Sequence, residues 1–173
     1  MFKKRDKNSR LFITDYVRFA NKEYKPFLCF LRTVKNYELR FLLSLRLFQK
    51  YGGGIPLLML NHYRRKYGIE IVCKNIGKGL RLIHPWGITV NSNSIIGDNV
   101  TIYKGVTIGG IDEGKKKGCP NIGDNVTLYT NAVVCGNIRI GNNCIIASNS
   151  FVNFDVPNNS IVIGNPGIVH NRK

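Results

Sequence analysis

The feature that most constrains this chain is a six-residue repeat that begins near Ile69 and continues to about Val152. In each unit an aliphatic residue leads, a glycine or another small or polar residue often follows, and a small or aliphatic residue comes three positions later. The leading residues form three sets: Ile76, Leu82 and Ile88; Ile96, Ile102 and Ile108; and Ile122, Leu128, Val134, Ile140, Ile146 and Val152. So many matches in one phase indicate a repeat architecture.

This repeat predicts a solenoid. A strand of about six residues cannot bury an apolar face alone, whereas stacked coils bury a continuous core. With three repeats closing one triangular coil, residues about 18 apart lie above one another and the leading aliphatics point inward. Glycine and asparagine suit the corners, as at Asn142–Asn143, because they tolerate positive φ. The predicted fold class is mainly β, a left-handed parallel β-helix of hexapeptide repeats preceded by a small α-helical N-terminal region.

The repeat changes phase at two places. Ile88 to Ile96 spans eight residues, which is a slip of two, and Ile108 to Ile122 spans fourteen. Insertions in a solenoid become loops on its outer surface, so the second break predicts an external loop at about 110–121. Loops of this kind often carry function.

The N-terminal part, Leu11–Tyr67, follows a helical pattern instead. Pro26 suits the first turn of a helix, and Gly52–Gly54 is a strong stop. Between them, one helical face collects the apolar side chains Phe41, Leu42, Leu45 and Phe48. A further helix is predicted over Pro56–Gly68. The predicted domains are an N-terminal helical region at 1–68, the β-helix at 69–157 and a C-terminal cap or tail at 158–173.

The composition is that of a folded protein with an unusual charge. The hydrophobic fraction is 43% and the net charge is +16. A field of this sign attracts nucleic acid, anionic lipid, acidic polysaccharide or the phosphates of a nucleotide cofactor, and a merely solvated surface is the alternative. The predicted helices are basic and amphipathic, so they pack on other helices, on a partner subunit or on an anionic membrane surface.

Nothing in the sequence predicts a membrane span or a secretion signal. No apolar run approaches the ~20 residues that a spanning helix needs. The basic start at 1–10 resembles the first part of a signal peptide, but Asp15, Arg18 and Glu23 interrupt the apolar segment that should follow. The expected location is cytoplasmic, with peripheral contact at the inner membrane face left open, and nucleic acid is not an expected partner.

Metal binding and disulfides are not expected either. The five cysteines form an odd set without C-x-x-C spacing, which favours free thiols in a reducing compartment. Some hexapeptide-repeat proteins are carbonic anhydrases with three histidines on zinc. Here His62 lies in the helical part and His170 near the C-terminus, so neither is expected to join His84 in such a triad.

His84 is the candidate catalytic residue. It occupies a repeat position where a small or aliphatic residue would serve packing better. Pro85 and Gly87 restrict the backbone beside it, and it comes one coil before the predicted loop. A histidine at such a place suits a general base, because its pKa lies close to the working pH. A purely structural histidine is the alternative.

At this point the sequence resembles a known family. The stretch from Glu70 to Gly167 resembles the serine acetyltransferases, and still more the related O-acetyltransferases of bacterial capsular and exopolysaccharide gene clusters. The motifs that carry this resemblance are Ile-His-Pro-Trp-Gly-Ile at 83–88, Gly-Val-Thr-Ile-Gly-Gly at 105–110, Gly-Asn-Ile-Arg-Ile-Gly at 136–141 and Ile-Val-Ile-Gly-Asn-Pro-Gly at 161–167. The resemblance covers roughly the C-terminal half of the chain.

The resemblance implies an acetyl-CoA-dependent O-acetyltransferase that uses no metal. His84 would be the general base, and Glu70 would hold its imidazole, although Glu70 is offset by one residue from the usual position. The family binds CoA in a groove between adjacent solenoids of a trimer, so a homotrimer or a dimer of trimers is expected. The positions that match the cofactor site are Gly110, Thr130, Asn131 and Ser148.

Two departures from the family bear on the acceptor. Serine acetyltransferases carry an acidic residue just before the catalytic histidine, where this chain has Ile83, and a histidine in the loop where it has Cys119. Cys119 and Trp86 are then the candidate acceptor-binding residues. A site without charged contacts discriminates against a free amino acid. The sequence therefore favours a sugar hydroxyl of a capsular polysaccharide, exopolysaccharide or precursor as the acceptor.

Three alternatives stay open. The first is serine O-acetyltransferase of cysteine biosynthesis, which shares the mechanism. The second is a non-enzymatic basic protein that binds nucleic acid or anionic lipid, for which binding should depend steeply on salt. The third is covalent catalysis through Cys119, whose thiol lies in a loop with lysines; direct transfer is favoured over it.

Overall fold

The computed structural model describes residues 7–172, with side chains from residue 11 onward. The residues at 1–6 and Lys173 lie outside this part, so the basic N-terminal start and the outer ends of the predicted domains are not described. Among the described helices, none combines the length and the apolar character needed to cross a bilayer.

The described residues form four helices followed by fourteen short strands. The helices are α1 (Lys7–Ala20), α2 (Pro26–Lys35), α3 (Tyr37–Tyr51) and α4 (Ile55–Tyr67). The strands are β1 (Glu70–Ile71), β2 (Arg81–Ile83), β3 (Thr89–Val90), β4 (Ile95–Ile96), β5 (Thr101–Tyr103), β6 (Thr107–Gly109), β7 (Asn121–Ile122), β8 (Thr127–Leu128), β9 (Val133–Cys135), β10 (Arg139–Ile140), β11 (Ile145–Ile146), β12 (Phe151–Val152), β13 (Ser160–Ile163) and β14 (Ile168–Asn171).

The strands stack into three parallel faces. The first face contains β1, β3, β6, β9 and β12; the second contains β4, β7 and β10; the third contains β2, β5, β8, β11 and β13. Only β14 among these strands runs antiparallel, and it pairs with β13 at the end of the third face. Successive strands of the chain belong to successive faces. The predicted left-handed parallel β-helix with an N-terminal helical region is therefore confirmed.

The core of the solenoid consists of the aliphatic side chains that lead the repeats. Each is almost fully buried, and each lies in register with its counterpart in the next coil, as Ile102 does with Leu128. The inward residues of the first face are Val90, Ile108, Val134 and Val152; of the second, Ile96, Ile122 and Ile140; of the third, Leu82, Ile102, Leu128, Ile146 and Val162. Burial of this column is the main stabilising contribution to the β-helix.

The two-residue slip lies at a different corner from the one that the sequence pattern indicated. Val90, not Ile88, pairs with Ile108 in the register of the first face. Leu82 to Val90 spans eight residues while Val90 to Ile96 spans six, so the two extra residues lie between β2 and β3. Ile88 is also buried, which made it indistinguishable from a leading residue. The insertion therefore enlarges the corner that contains His84.

Asparagine occupies the corners of the solenoid, as predicted. The asparagines with positive φ at the corners are Asn99, Asn125, Asn131, Asn143, Asn149 and Asn159. Their amides also hydrogen-bond between coils: Asn125 Nδ2 donates to Asn143 Oδ1 at 3.2 Å, and Asn143 Nδ2 donates to Asn159 Oδ1 at 3.0 Å. The side chain thus tolerates the left-handed backbone and links one coil to the next.

The helical part differs from prediction at one point. The pattern from Pro26 to the glycines reads as one helical stretch, but the structure divides it at Asn36, whose φ of −103° and ψ of 122° are extended. The Asn36 backbone N–H and side-chain Nδ2 both donate to the Arg32 carbonyl, each at 2.9 Å. The side chain therefore offers the backbone an alternative to continuing the helix.

A buried ion pair joins the helices to the first coil. Arg46 of α3 donates to both carboxylate oxygens of Asp15 in α1, at 2.7 and 2.9 Å. Arg46 also donates to the carbonyls of Ile76 and Gly77 at 3.0 and 2.6 Å. Asp15 Oδ1 in turn accepts the Leu80 N–H at 2.9 Å. Two helices and the start of the solenoid are thus connected through one pair.

Candidate active site

His84 lies on the enlarged corner between β2 and β3, exposed to solvent. Its φ is 48°, a left-handed conformation that few residues other than glycine adopt. The Trp86 N–H donates to the His84 carbonyl at 2.8 Å across the buried Pro85. The two inserted residues and this tight turn carry the imidazole away from the packed interior.

Aromatic rings from the helices support the turn. The Trp86 ring is 5.2 Å from the Tyr67 ring in an edge-to-face contact, and Tyr67 stacks on Tyr37 at 4.5 Å. The backbone of the turn is also bonded to the end of α4, because the Gly87 N–H donates to the Tyr67 carbonyl at 3.2 Å. Burial raises the pKa of the Tyr37 hydroxyl, which keeps this ring neutral. The end of α4 thus fixes the position of Trp86, which is still 53% exposed.

Most of the sequence-predicted site residues lie on one edge of the prism. We call the corners between the third and first faces, at 84–88, 104–106, 129–132 and 147–150, the His84 edge. The predicted residues that it contains are His84, Trp86, Thr130, Asn131 and Ser148. Asn131 Nδ2 donates to Asn149 Oδ1 at 3.3 Å along this edge. The Trp86 carbonyl accepts the Gly105 N–H at 2.7 Å, which connects the histidine turn to the coil above.

Gly110 and Cys119 lie on another edge. We call the corners between the first and second faces, at 91–94, 110–120 and 136–138, the loop edge. There Cys119 Sγ contacts Asn91 Oδ1 at 3.3 Å. A Cβ at Gly110 would lie 3.0 Å from Asn91 Nδ2 and 3.1 Å from Cys119 Sγ. The three residues form a compact cluster at the base of the loop.

The predicted external loop is a short hairpin. Ile111 and Gly118 exchange two backbone hydrogen bonds at 2.9 and 2.8 Å, which close its base. The tip is exposed and carries Asp112, Glu113 and the three lysines Lys115–Lys117. The lysines are thus presented to solvent on the loop edge, where an anionic group can reach them.

Glu70 is placed in β1, at the start of the first face, and its side chain is half-buried. Its carboxylate pairs with Arg64 of α4 at 3.1 Å. Among the described residues, no hydrogen bond joins Glu70 to His84. The pair with Arg64 is exposed, so its own contribution to stability is small.

An apolar and aromatic row beside His84 was missed by sequence reasoning. Ile83 pairs with Tyr103 in the strand register, and the Tyr103 and Tyr129 rings lie 4.8 Å apart. All three side chains are half-buried on the outside of the third face. The signal was available in the sequence, because the register of Leu82, Ile102 and Leu128 places the residues that follow them in one row. The row therefore lies on the outer surface of the third face, directly before the turn that carries His84.

Taken together, a single chain brings His84 close to Trp86 but holds the loop-edge cluster apart from it. The first face lies between the His84 edge and the loop edge, so Gly110 and Cys119 lie across the width of that face from His84. Among the described residues, no group of three or more His, Cys, Asp or Glu side chains converges on a point that could hold a metal ion.

Comparison with known proteins identifies similar chains. Residues 120–153 match the family described as bacterial transferase hexapeptide (six repeats). A serine acetyltransferase of Staphylococcus aureus strain Mu50 is 48% identical over 101 residues, which are 58% of this chain and 47% of the relative. Serine acetyltransferase 4 of Arabidopsis thaliana is 38% identical over 113 residues, 65% of this chain and 32% of the relative. The chain thus spans about half or less of these curated relatives.

Solved structures agree with the sequence relatives. The serine acetyltransferase of Neisseria gonorrhoeae superposes with a TM-score of 0.75 at 28% identity, covering 95% of this chain and 65% of that one. The same enzyme in complex with serine gives a TM-score of 0.73 at 28% identity, covering 94% and 69%. The likeness includes the N-terminal helices, because it extends over nearly the whole chain.

These findings correct the predicted acceptor. The prediction of a polysaccharide hydroxyl as the acceptor is wrong, and the expected closeness to capsular and exopolysaccharide O-acetyltransferases is not supported. Relatives that are 37–48% identical are named serine acetyltransferases. Ile83 and Cys119 are two single-residue departures within a repeat sequence and a fold that resemble those of serine acetyltransferases throughout. The chain contains hexapeptide repeats and is similar to serine acetyltransferases over the aligned residues.

Proposed function

We propose that this protein is a serine O-acetyltransferase that moves the acetyl group of acetyl-CoA to the hydroxyl of L-serine, with His84 as general base. The observation that carries the proposal is the exposed, left-handed turn that presents His84 on the β-helix edge, in a chain similar to serine acetyltransferases. A histidine held outside the core in the uncommon left-handed conformation suits a chemical role better than a packing role.

The chemistry requires one base and no covalent enzyme intermediate. The unprotonated imidazole nitrogen of His84 takes the proton from the acceptor hydroxyl as its oxygen attacks the thioester carbonyl. The new C–O bond forms, the tetrahedral intermediate collapses, and the C–S bond breaks. The imidazolium returns its proton to the departing thiolate, so the products are the acetyl ester and free CoA thiol. Cys119 takes no part in this route, because transfer is direct.

Glu70 is proposed as the group that orients His84. Its strand follows Tyr67, whose carbonyl is hydrogen-bonded to the histidine turn. The carboxylate would have to leave Arg64 or share its charge with both partners, since the ion pair with Arg64 occupies it. Glu70 is therefore a positioning residue, and its loss should lower kcat less than loss of His84.

The cofactor groove is proposed to form between neighbouring copies in a homotrimer. The positions of the His84 edge and the loop edge support this arrangement. In one chain the first face separates the two edges, whereas a groove between two copies would bring the His84 edge of one copy next to the loop edge of its neighbour. The pantetheine arm would lie along Thr130, Asn131 and Ser148 of the His84 edge, with Gly110 of the loop edge beside the thioester. Exposed lysines Lys115–Lys117 supply positive charge for the CoA phosphates.

The acceptor contacts are proposed to differ from those of the relatives. Without an acid at position 83, the serine ammonium can lie over the exposed face of Trp86, because an aromatic ring attracts a cation. Exposed Lys104 lies on the same edge and can meet the serine carboxylate. Cys119, from the loop edge of a neighbouring copy, would line the other side.

The proposal is tested by thiol release from acetyl-CoA with purified protein. L-Serine is compared with L-alanine, which differs only by the hydroxyl, and O-acetylserine is identified by mass spectrometry. Release that depends on L-serine and yields the ester supports the proposal. Binding of acetyl-CoA without transfer to L-serine, or transfer to a different hydroxyl in preference, overturns it.

A further inference from the structure

Helix α2 presents an apolar row to solvent instead of to the protein. Phe27, Phe30, Leu31 and Val34 recur at the spacing of one helical face and are 71%, 65%, 39% and 55% exposed. Large apolar side chains are normally exposed singly, so four on one helical face mark an interaction surface. We call these four residues the α2 row.

The opposite side of the helix accounts for its attachment to the protein. Cys29 and Thr33 are the buried residues of α2, and Thr33 Oγ1 donates to the Cys29 carbonyl at 2.8 Å. Arg32, half-buried, reaches the Tyr16 hydroxyl of α1 at 3.5 Å. Helix α2 therefore packs against α1 and α3 through this side, and no described residue covers the α2 row.

Positive charge accompanies the row. Lys22 and Lys25 precede the helix and Lys35 ends it, and all three are exposed. The only acid between residues 21 and 36 is Glu23. Basic side chains beside exposed phenylalanines are the combination that binds the boundary between lipid headgroups and acyl chains. The net charge of +16 reinforces this preference for an anionic surface.

We propose that α2 docks this protein on anionic lipid membranes. The helix lies parallel to the surface, Phe27 and Phe30 enter the boundary region, and Lys25 and Lys35 meet lipid phosphates. A second copy of the chain is a poorer occupant, because an α2-to-α2 contact would bring the lysines of both copies together. This surface lies outside the groove proposed for acetyl transfer, so it adds a location to the activity and does not depend on it.

The apolar part of the proposal is tested by sedimentation with vesicles. Wild-type protein is expected to bind vesicles of phosphatidylcholine mixed with phosphatidylglycerol, and to bind pure phosphatidylcholine much more weakly. The variant Phe27→Ser/Phe30→Ser should lose binding by about tenfold or more, because each ring contributes burial of apolar surface. Ile163→Ser/Ile168→Ser is the matched control: it removes two exposed apolar residues from the C-terminal hairpin and should bind as wild type does.

The charged part is tested in the same assay. Lys25→Gln/Lys35→Gln should weaken binding by about fivefold per lysine, and added salt should weaken wild-type binding. The control Lys115→Gln/Lys117→Gln removes two exposed lysines from the external loop. Because all substituted side chains are exposed, thermal unfolding should be unchanged in every variant.

Three outcomes overturn the proposal. Equal binding to neutral and anionic vesicles removes the role of charge. Equal loss in the α2 and loop lysine variants means that net charge alone attracts the protein. Dissociation of a higher oligomer by Phe27→Ser/Phe30→Ser, measured by light scattering without lipid, assigns the row to contacts between copies. Failure of acetyl transfer to L-serine affects none of these readings.

Discussion

At the residue scale, the edges of this β-helix depend on residues that accept a left-handed backbone. Gly105 has a φ of 71° and lies directly against Asn131 of the coil above. A Cβ at Gly105 would lie 2.0 Å from Asn131 Oδ1, so it would displace the amide from its bond with Asn149. The same amide position borders the proposed cofactor groove.

Gly105→Ala should therefore lower the free energy of unfolding by about 2 kcal/mol or more, from backbone strain and the displaced amide together. Urea unfolding measures this change. Gly114→Ala is the matched control, because its φ of 77° is also positive but no atom lies within 4 Å of the added Cβ. The control should cost about 1 kcal/mol. Equal losses in the two variants would show that the contact with Asn131 contributes nothing.

Ile83 tests the proposed acceptor. Ile83→Asp places a carboxylate next to His84, where it can pair with the ammonium of L-serine. A charge-assisted hydrogen bond of this kind should raise kcat/KM for L-serine by about tenfold. Steady-state kinetics with Ile83→Asn, which has similar shape without charge, provide the comparison. If both variants behave alike, the serine ammonium does not approach position 83.

The six-residue repeat predicts the roles of some single residues but not of others. His84 stands out as a candidate because it breaks the repeat, and asparagine is expected at the corners because only a few residue types tolerate positive φ. The corner holding the two-residue slip was placed wrongly, because Ile88 and Val90 are both buried aliphatics. Only the strand pairing distinguishes them. The repeat pattern could not predict the ion pair between Glu70 and Arg64 either, because the pair joins a strand to a helix.

At the scale of elements, the attachment of the helices to the solenoid relies on the buried pair of Asp15 and Arg46. Neither residue was singled out for such a role by the sequence. The sequence shows Asp15 only as an interruption of an apolar segment, because a single charged residue in a helical pattern normally indicates a solvent-exposed position. The helix break at Asn36 was missed for a similar reason, because asparagine is tolerated within helices. The strands, in contrast, follow directly from the six-residue repeat.

Asp15→Ala should destabilise the protein by about 3–5 kcal/mol, because it leaves the buried Arg46 guanidinium without its partner. Denaturant unfolding measures the loss. The double variant Asp15→Leu/Arg46→Met removes both charges, so it should recover part of that stability. A single variant no less stable than the double one would show that the pair is not the connection we describe.

At the scale of the whole molecule, the proposed active site depends on the proposed assembly of copies. His84 and Gly110 lie on edges that the first face separates. In a ring of copies, each groove takes one edge from each of two neighbours. The sequence motifs identified both residues through the family resemblance, but they did not show that one chain holds them apart. That separation follows from which corner each residue occupies.

Mixed assemblies test this arrangement. His84→Ala and Gly110→Leu should each be inactive alone, the second because its side chain would block the thioester position. Co-expression at equal levels should restore about a quarter of wild-type activity, since that fraction of grooves takes both intact edges. Absence of any restored activity in verified mixed assemblies would contradict a groove built from two copies.

The most direct test of the account is the rate of L-serine-dependent thiol release by His84→Ala. We expect kcat/KM to fall by about 10²-fold or more, while acetyl-CoA binding by calorimetry and thermal unfolding stay at wild-type values, because His84 is exposed. The control His62→Ala, which changes an exposed histidine of α4, should keep full activity. Wild-type rates in the folded His84→Ala protein would contradict the role of His84 as general base.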